Sequence, residues 1–184
     1  MIRYFTRFLL LFLLLSCLPY SAEASVPIAW QAVTATYGMD TGNLETKGGE
    51  IGYQILPQKF KWKYLWLYFD GNLAYWHTVY ATNKSLVLGS IAPVLRIPFF
   101  QNSAFMPYLE ISVGAAMMSG TKFGYKDLGA HFTFQDMLGG GISLGAKHQF
   151  DISWHYVHYS NASLAQPNDG IDLPIFVTLA YRFS

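Results

Sequence analysis

The chain has 184 residues, and its 12 Lys/Arg and 11 Asp/Glu give a formal net charge of +1 at pH 7. Aromatic residues reach 17% while charged residues stop at 12%, and there is one cysteine. This balance argues against a nucleic-acid partner and an ordinary water-facing surface, and a lone cysteine excludes disulfide staples and thiolate metal sites.

The first segment, "MIRYFTRFLLLFLLLSCLPYSAEA", has two arginines, a short apolar run and the small-x-small triplet Ala22-Glu23-Ala24. It reads as a secretory signal peptide over residues 1–24, leaving a single domain over 25–184. The run is too short for an ordinary spanning helix. The competing reading takes Leu14-Leu15-Ser16-Cys17 as a lipoprotein signal in which Cys17 is lipidated. Without residues 1–24 the chain loses Arg3, Arg7 and Glu23, so the remaining ten cations and ten anions cancel.

Eight short segments then alternate between two residue classes, at about 29–39, 47–56, 63–77, 83–96, 105–117, 132–146, 149–160 and 172–183. In the third, Leu65, Leu67, Phe69, Gly71 and Leu73 share one parity, and Trp66, Tyr68, Asp70 and Asn72 the other. The fifth sets Leu109, Ile111, Val113 and Ala115 against Tyr108, Glu110, Ser112 and Gly114. Period-two alternation means strands with two unlike faces. A soluble β-sandwich would also alternate, but its polar face would carry more Lys and Glu. The inverted arrangement fits better: apolar residues toward lipid, with Glu50, Asp70, Glu110, Asp151 and Arg182 toward a polar interior where they can pair. The expected fold is therefore all-β, an eight-stranded antiparallel transmembrane β-barrel. In barrels of this kind both termini face the periplasm, which puts the end of the seventh segment at the outer rim.

At that rim Ile152, Trp154, Tyr156, His158 and Ser160 share the lipid-facing parity. A histidine and a serine two residues apart lie on one side of a strand. Serine hydrolysis needs a base beside the hydroxyl, a carboxylate orienting the imidazole, and hydrogen-bond donors for the oxyanion. Ser160, His158, Asp172 and Asn161 supply those residue types. Alone, His-x-Ser is a weak signal, since an interfacial histidine can simply meet headgroups.

The longer stretch "HYSNASLAQPNDGID" and "FTFQDMLGGGISLG" before it closely resemble the outer-membrane lipid A 3-O-deacylase family. The resemblance implies a barrel in the Gram-negative outer membrane that removes the 3-hydroxyacyl chain from the 3-position of lipid A, the lipid anchor of lipopolysaccharide. It implies catalysis by Ser160, His158 and Asp172 with no metal or other cofactor, and Asn161 is retained for the oxyanion. A homodimer is compatible with it. Two departures stand out: Asp172 where the family has glutamate, and Ser163 where characterised members have glycine. Strict alternation in the last segment, with Leu173, Ile175, Val177 and Leu179 toward lipid, turns Asp172 inward. We therefore expect Asp172 at a loop end or a bulge before Pro174.

The remaining features have plainer readings. His155 has interior parity, with Asp151 or Ser153 as expected partner, and His77, His131 and His148 fall at strand ends or turns. Their spacings do not suit zinc. Gly139-Gly140-Gly141 lies within a strand, which favours close packing over a phosphate loop. Asn168-Asp169-Gly170 is a turn that would return Asp172 to His158, and Lys122 and Lys126 are candidates for lipid A phosphates. Two rivals share these residues: a small barrel acting as adhesin or envelope scaffold without catalysis, and an acyltransferase passing the chain to another acceptor.

Overall fold

The computed structural model describes residues 26–42 and 44–183. The expected signal peptide and Cys17 lie outside the described residues. Ten strands follow in chain order: β1 (Ile28–Asp40), β2 (Thr46–Pro57), β3 (Trp66–Thr78), β4 (Ser85–Pro98), β5 (Phe105–Met118), β6 (Lys122–Phe123), β7 (Lys126–Asp127), β8 (Phe132–Leu144), β9 (Phe150–Ser160) and β10 (Ile171–Phe183). Eight of them close a barrel in the order β1-β10-β9-β8-β5-β4-β3-β2, every neighbour antiparallel. The short β6–β7 hairpin stands apart in the longest loop, between β5 and β8. Two-residue strands carry no periodicity, so the sequence gives no sign of it. We name the barrel end with this hairpin the loop end.

Alternation sorts the side chains as the inverted pattern requires. Ile51, Leu73, Ile91, Val113 and Leu138 are exposed on the outer wall, while Glu50, Arg96, Glu110, Asp151 and Arg182 are buried inside. This is the membrane-barrel arrangement, in which lipid replaces water outside and polar groups find partners within. Arg96 Nε contacts Glu110 Oε1, and its Nη1 lies 2.9 Å from Asp151 Oδ2. Arg182 also pairs with Asp151, and Tyr68 donates to Glu110 at 2.7 Å. His155 takes a different partner from the expected one: its Nε2 lies 2.9 Å from Glu110 Oε2, across the interior on β5. Same-strand neighbours at i±2 or i±4 are easy to read, but closure of the barrel is what brings β9 opposite β5.

Apolar side chains seal both ends of this network. Trp30, Leu56 and Met106 pack at one end, and Trp76, Leu88, Phe123 and Phe176 at the loop end. The void among the interior polar groups is only about 20 Å³, enough for about one water. Among the described residues the barrel interior is a packed core with little room for a lipid, which favours the outer wall for any chemistry on one.

Candidate active site

β9 reaches the loop end with His158 and Ser160 on its lipid side, and His158 pairs directly across the sheet with Asp172 of β10. The His158 Nδ1 to Asp172 Oδ1 distance is 2.7 Å. Tyr156, two residues back on the same face, donates its hydroxyl to the same carboxylate oxygen. With Nδ1 turned to Asp172, Nε2 is the imidazole nitrogen left for a neighbour. Ser160 follows on the same face, half-buried, and its hydroxyl forms no hydrogen bond among the described residues.

A bulge puts Asp172 outside. The β9–β10 register jumps between Leu173 and Phe176, so Pro174 and Ile175 together oppose one residue of β9. The extra residue inverts the pleat, and Asp172 joins the exposed side while Leu173 is fully buried. This corrects the assignment of Leu173 to the lipid face: the phase change falls after it. Pro174 has no N–H to lose from the ladder, and its carbonyl accepts the Trp154 indole N–H at 3.0 Å.

Asn161 is placed differently from the oxyanion donor expected. It is fully buried, and its side-chain N–H groups go to the Leu128 carbonyl and, at 2.9 Å, the Ala165 carbonyl. Its backbone N–H donates to Asn168 Oδ1 at 2.9 Å. With every donor committed, Asn161 ties the loop over 161–170 to the loop after β5. Ala162 (φ 51) and Ser163 (φ 62) adopt left-handed conformations, and their backbone N–H groups have no acceptor among the described residues. A residue without a side chain would adopt the position 163 conformation more readily than Ser163 does.

The two loops are further joined where Asp127 N–H donates to Asp169 Oδ2 at 2.7 Å and Asp169 N–H to the Asp127 carbonyl at 3.1 Å. The Gly129 N–H, with Lys122 nearby, holds the Asp127 carboxyl below the ordinary carboxylate range. Lys122 Nζ pairs with Asp127 at 3.3 Å, and Lys126 Nζ donates to the Asp169 carbonyl at 3.0 Å. Both lysines therefore brace loops as well as face outward. Gly170 (φ 64) presses against the imidazole, where an added Cβ would lie 2.9 Å from His158 Cε1. Its turn thus delivers Asp172 to His158 with no side chain between. The glycines Gly139, Gly140 and Gly141 are likewise explained by packing, since a Cβ at each would meet backbone oxygen within 2.4 Å.

One residue of this cluster escaped the sequence reading. Asp136 of β8 pairs across the sheet with His158, on the side opposite Asp172, and is half-buried on the lipid-facing wall. It has no hydrogen bond or ion pair among the described residues. Its signal was available: Phe132, Phe134, Asp136 and Leu138 share one parity, so a carboxylate interrupts a lipid-facing row.

Residues 47–183, which include this whole cluster, match the family model "Lipid A 3-O-deacylase (PagL)". The chain belongs to the lipid A 3-O-deacylase (PagL) family. It is 36% identical over 107 residues to the lipid A deacylase PagL of Pseudomonas aeruginosa, covering 57% of this chain and 58% of that protein. It is 30% identical over 154 residues to the lipid A deacylase PagL of Bordetella bronchiseptica, covering 84% of this chain and 77% of that protein. Among solved structures, the outer membrane enzyme PagL superposes with a TM-score of 0.64 at 29% identity, covering 83% of this chain and 99% of that one. Neisserial surface protein A superposes with a TM-score of 0.53 at 16% identity, covering 84% and 96%. That second likeness concerns the fold alone, so the case for PagL-type chemistry rests on the outer-wall cluster and the family match.

Proposed function

We propose that this protein is an outer-membrane lipid A 3-O-deacylase, a serine esterase that hydrolyses the 3-hydroxyacyl ester at the 3-position of lipid A in the outer leaflet. The observation that carries the reading is the outward-facing His158–Asp172 pair beside Ser160, reached only from the lipid side of a plugged barrel. Ser160 Oγ attacks the acyl carbonyl while His158 Nε2 takes its proton, and Asp172 holds the imidazole through Nδ1. The backbone N–H groups of Ala162 and Ser163 face the developing oxyanion, each contributing about 3 kcal/mol if well placed. Collapse of the tetrahedral intermediate breaks the ester bond, and His158 returns the proton to the departing sugar hydroxyl. Water, deprotonated by His158, then attacks the acyl-serine and releases the 3-hydroxy fatty acid.

The shorter Asp172 is compatible with this role because it lies directly opposite His158 and meets Nδ1 at 2.7 Å. The test is mass spectrometry of lipid A from Gram-negative cells expressing the intact chain or an equally folded Ser160→Ala form. Loss of one 3-hydroxyacyl group only with the intact serine is expected. Lipid A unchanged by a folded intact protein would favour the scaffold reading. Recovery of the chain on another lipid, in place of free fatty acid, would indicate a transferase.

A further inference from the structure

At the barrel end opposite the loop end, where β1 begins and β10 finishes, the turns carry charge of one sign. The three turns over 58–65, 99–104 and 145–149 hold Lys59, Lys61, Lys63 and Lys147 and no aspartate or glutamate. None of these lysines has an ion pair among the described residues. Gathered cations without counter-ions make a positive field at this end that attracts anions.

Two of the four open onto a pocket of about 150 Å³. Lys61 and Lys147, both exposed, form its rim with half-buried His148, and the buried Trp30, Trp66 and Arg182 lie deeper in its wall. No carboxylate lines it. Arg182 is held from behind through Nη2, by Asp151 and by Ser143 Oγ at 3.2 Å. Its Nε and the indole N–H groups of Trp30 and Trp66 have no acceptor among the described residues. A buried donor left unpaired costs about 1–3 kcal/mol, so three in one wall point to an acceptor from outside the barrel. The rim is also braced before any ligand arrives. Lys61 bridges Trp66 across the base of its turn, Gln101 Nε2 donates to the Lys63 carbonyl, and His148 Nε2 donates to the Ser103 carbonyl at 2.7 Å. The three turns are thereby bonded to one another, and a site held in place binds at lower entropic cost.

We propose that this pocket binds a phosphate group, with Lys61 and Lys147 donating to its oxygens at the rim and Arg182 supplying fixed positive charge behind them. Two ammonium groups and a guanidinium converging on one cavity suit a compact group that carries several charged oxygens. Inorganic phosphate and the headgroup of an anionic phospholipid share that chemistry. Trp30 lies near the start of β1 and Arg182 near the finish of β10, so the bound group spans the seam where the barrel closes. The site lies at the far end of the barrel from His158 and Ser160 and stands apart from the deacylase reading.

The test is equilibrium dialysis of the purified protein, in phosphate-free maltoside micelles at constant chloride, against radiolabelled inorganic phosphate. Saturable binding of one phosphate per barrel is expected. Lys61→Gln and Lys147→Gln, both at exposed positions that leave the barrel strands untouched, should each weaken it roughly tenfold. Lys59→Gln with Lys63→Gln removes two charges from the same end without touching the pocket and should bind as the wild type does. Short-chain phosphatidylglycerol added as competitor separates the sources: displacement well below the concentration of phosphate needed supports the site with a lipid headgroup as its occupant, and displacement no better than by phosphate supports it with the free ion. No saturable binding by the wild-type barrel overturns the site. Equal losses in the Lys59/Lys63 and the Lys61 or Lys147 variants, each folded by circular dichroism, also overturn it, since diffuse charge attraction would then account for the binding.

Discussion

His158 stands between two carboxylates that the sheet holds in register, Asp172 on β10 and Asp136 on β8. Only Asp172 touches it. Asp136 faces a wall where an unpaired charge is costly, and such residues are kept when they serve a site. Directly opposed residues have Cβ atoms about 5 Å apart, where a carboxylate near the surface stabilises an imidazolium by about 1 kcal/mol. Asp136→Asn should therefore lower kcat roughly fivefold without altering the fold, as read from steady-state lipid A hydrolysis at constant barrel content. A change in KM alone would assign Asp136 to the headgroup. Ser163 is a second case, because its φ of 62 is strained for any side chain. Ser163→Gly should relieve about 1 kcal/mol and raise the unfolding midpoint in urea. No gain in midpoint would mean that the loop conformation is not strained in solution.

At the scale of the strand, the site depends on a single inserted residue. Alternation made all eight barrel strands legible, because a wall with lipid on one side and a polar core on the other enforces period two throughout. The same rule exposed the conflict at Asp172 and so called for a loop end or a bulge before Pro174, whereas the inserted residue falls at Pro174 and Ile175 themselves. It could not say on which side of Leu173 the phase would change, since that is decided by the β9 partner. Nor could it show that Asn161 turns inward, because its carbonyl partners Leu128 and Ala165 come from two loops that meet only in the folded barrel. The Trp154 indole N–H on the Pro174 carbonyl is what pins the bulge. Trp154→Phe keeps the apolar ring and deletes that donor, at a stability cost of about 1 kcal/mol. A larger proportional loss is expected in kcat, since Asp172 must hold its place against His158. Amide hydrogen exchange at Phe176 and Val177 should quicken in parallel, and unchanged exchange with unchanged kcat would mean that the bulge holds without the indole.

Across the whole molecule, stability and chemistry occupy opposite sides of one wall. The interior network joins β3, β4, β5, β9 and β10 through Tyr68, Arg96, Glu110, Asp151, His155 and Arg182, all buried. Glu110 is its hub, accepting from Tyr68, Arg96 and His155. Glu110→Ala would leave Arg96 with Asp151, which it must share with Arg182. Removing one partner of a buried charge pair costs about 3–5 kcal/mol, because the desolvation penalty of the other is no longer offset. The candidate site draws nothing from this network: His158, Ser160 and Asp172 face outward, and the loops that brace them bond to one another. Glu110→Ala should accordingly lower the urea midpoint of the barrel in lipid vesicles by an amount equivalent to that cost, while hydrolysis of lipid A per folded molecule stays at the wild-type rate. A fall in specific activity of the folded fraction would show that the interior charges tune the outer site through the strand they share, since His155 lies only three residues from His158.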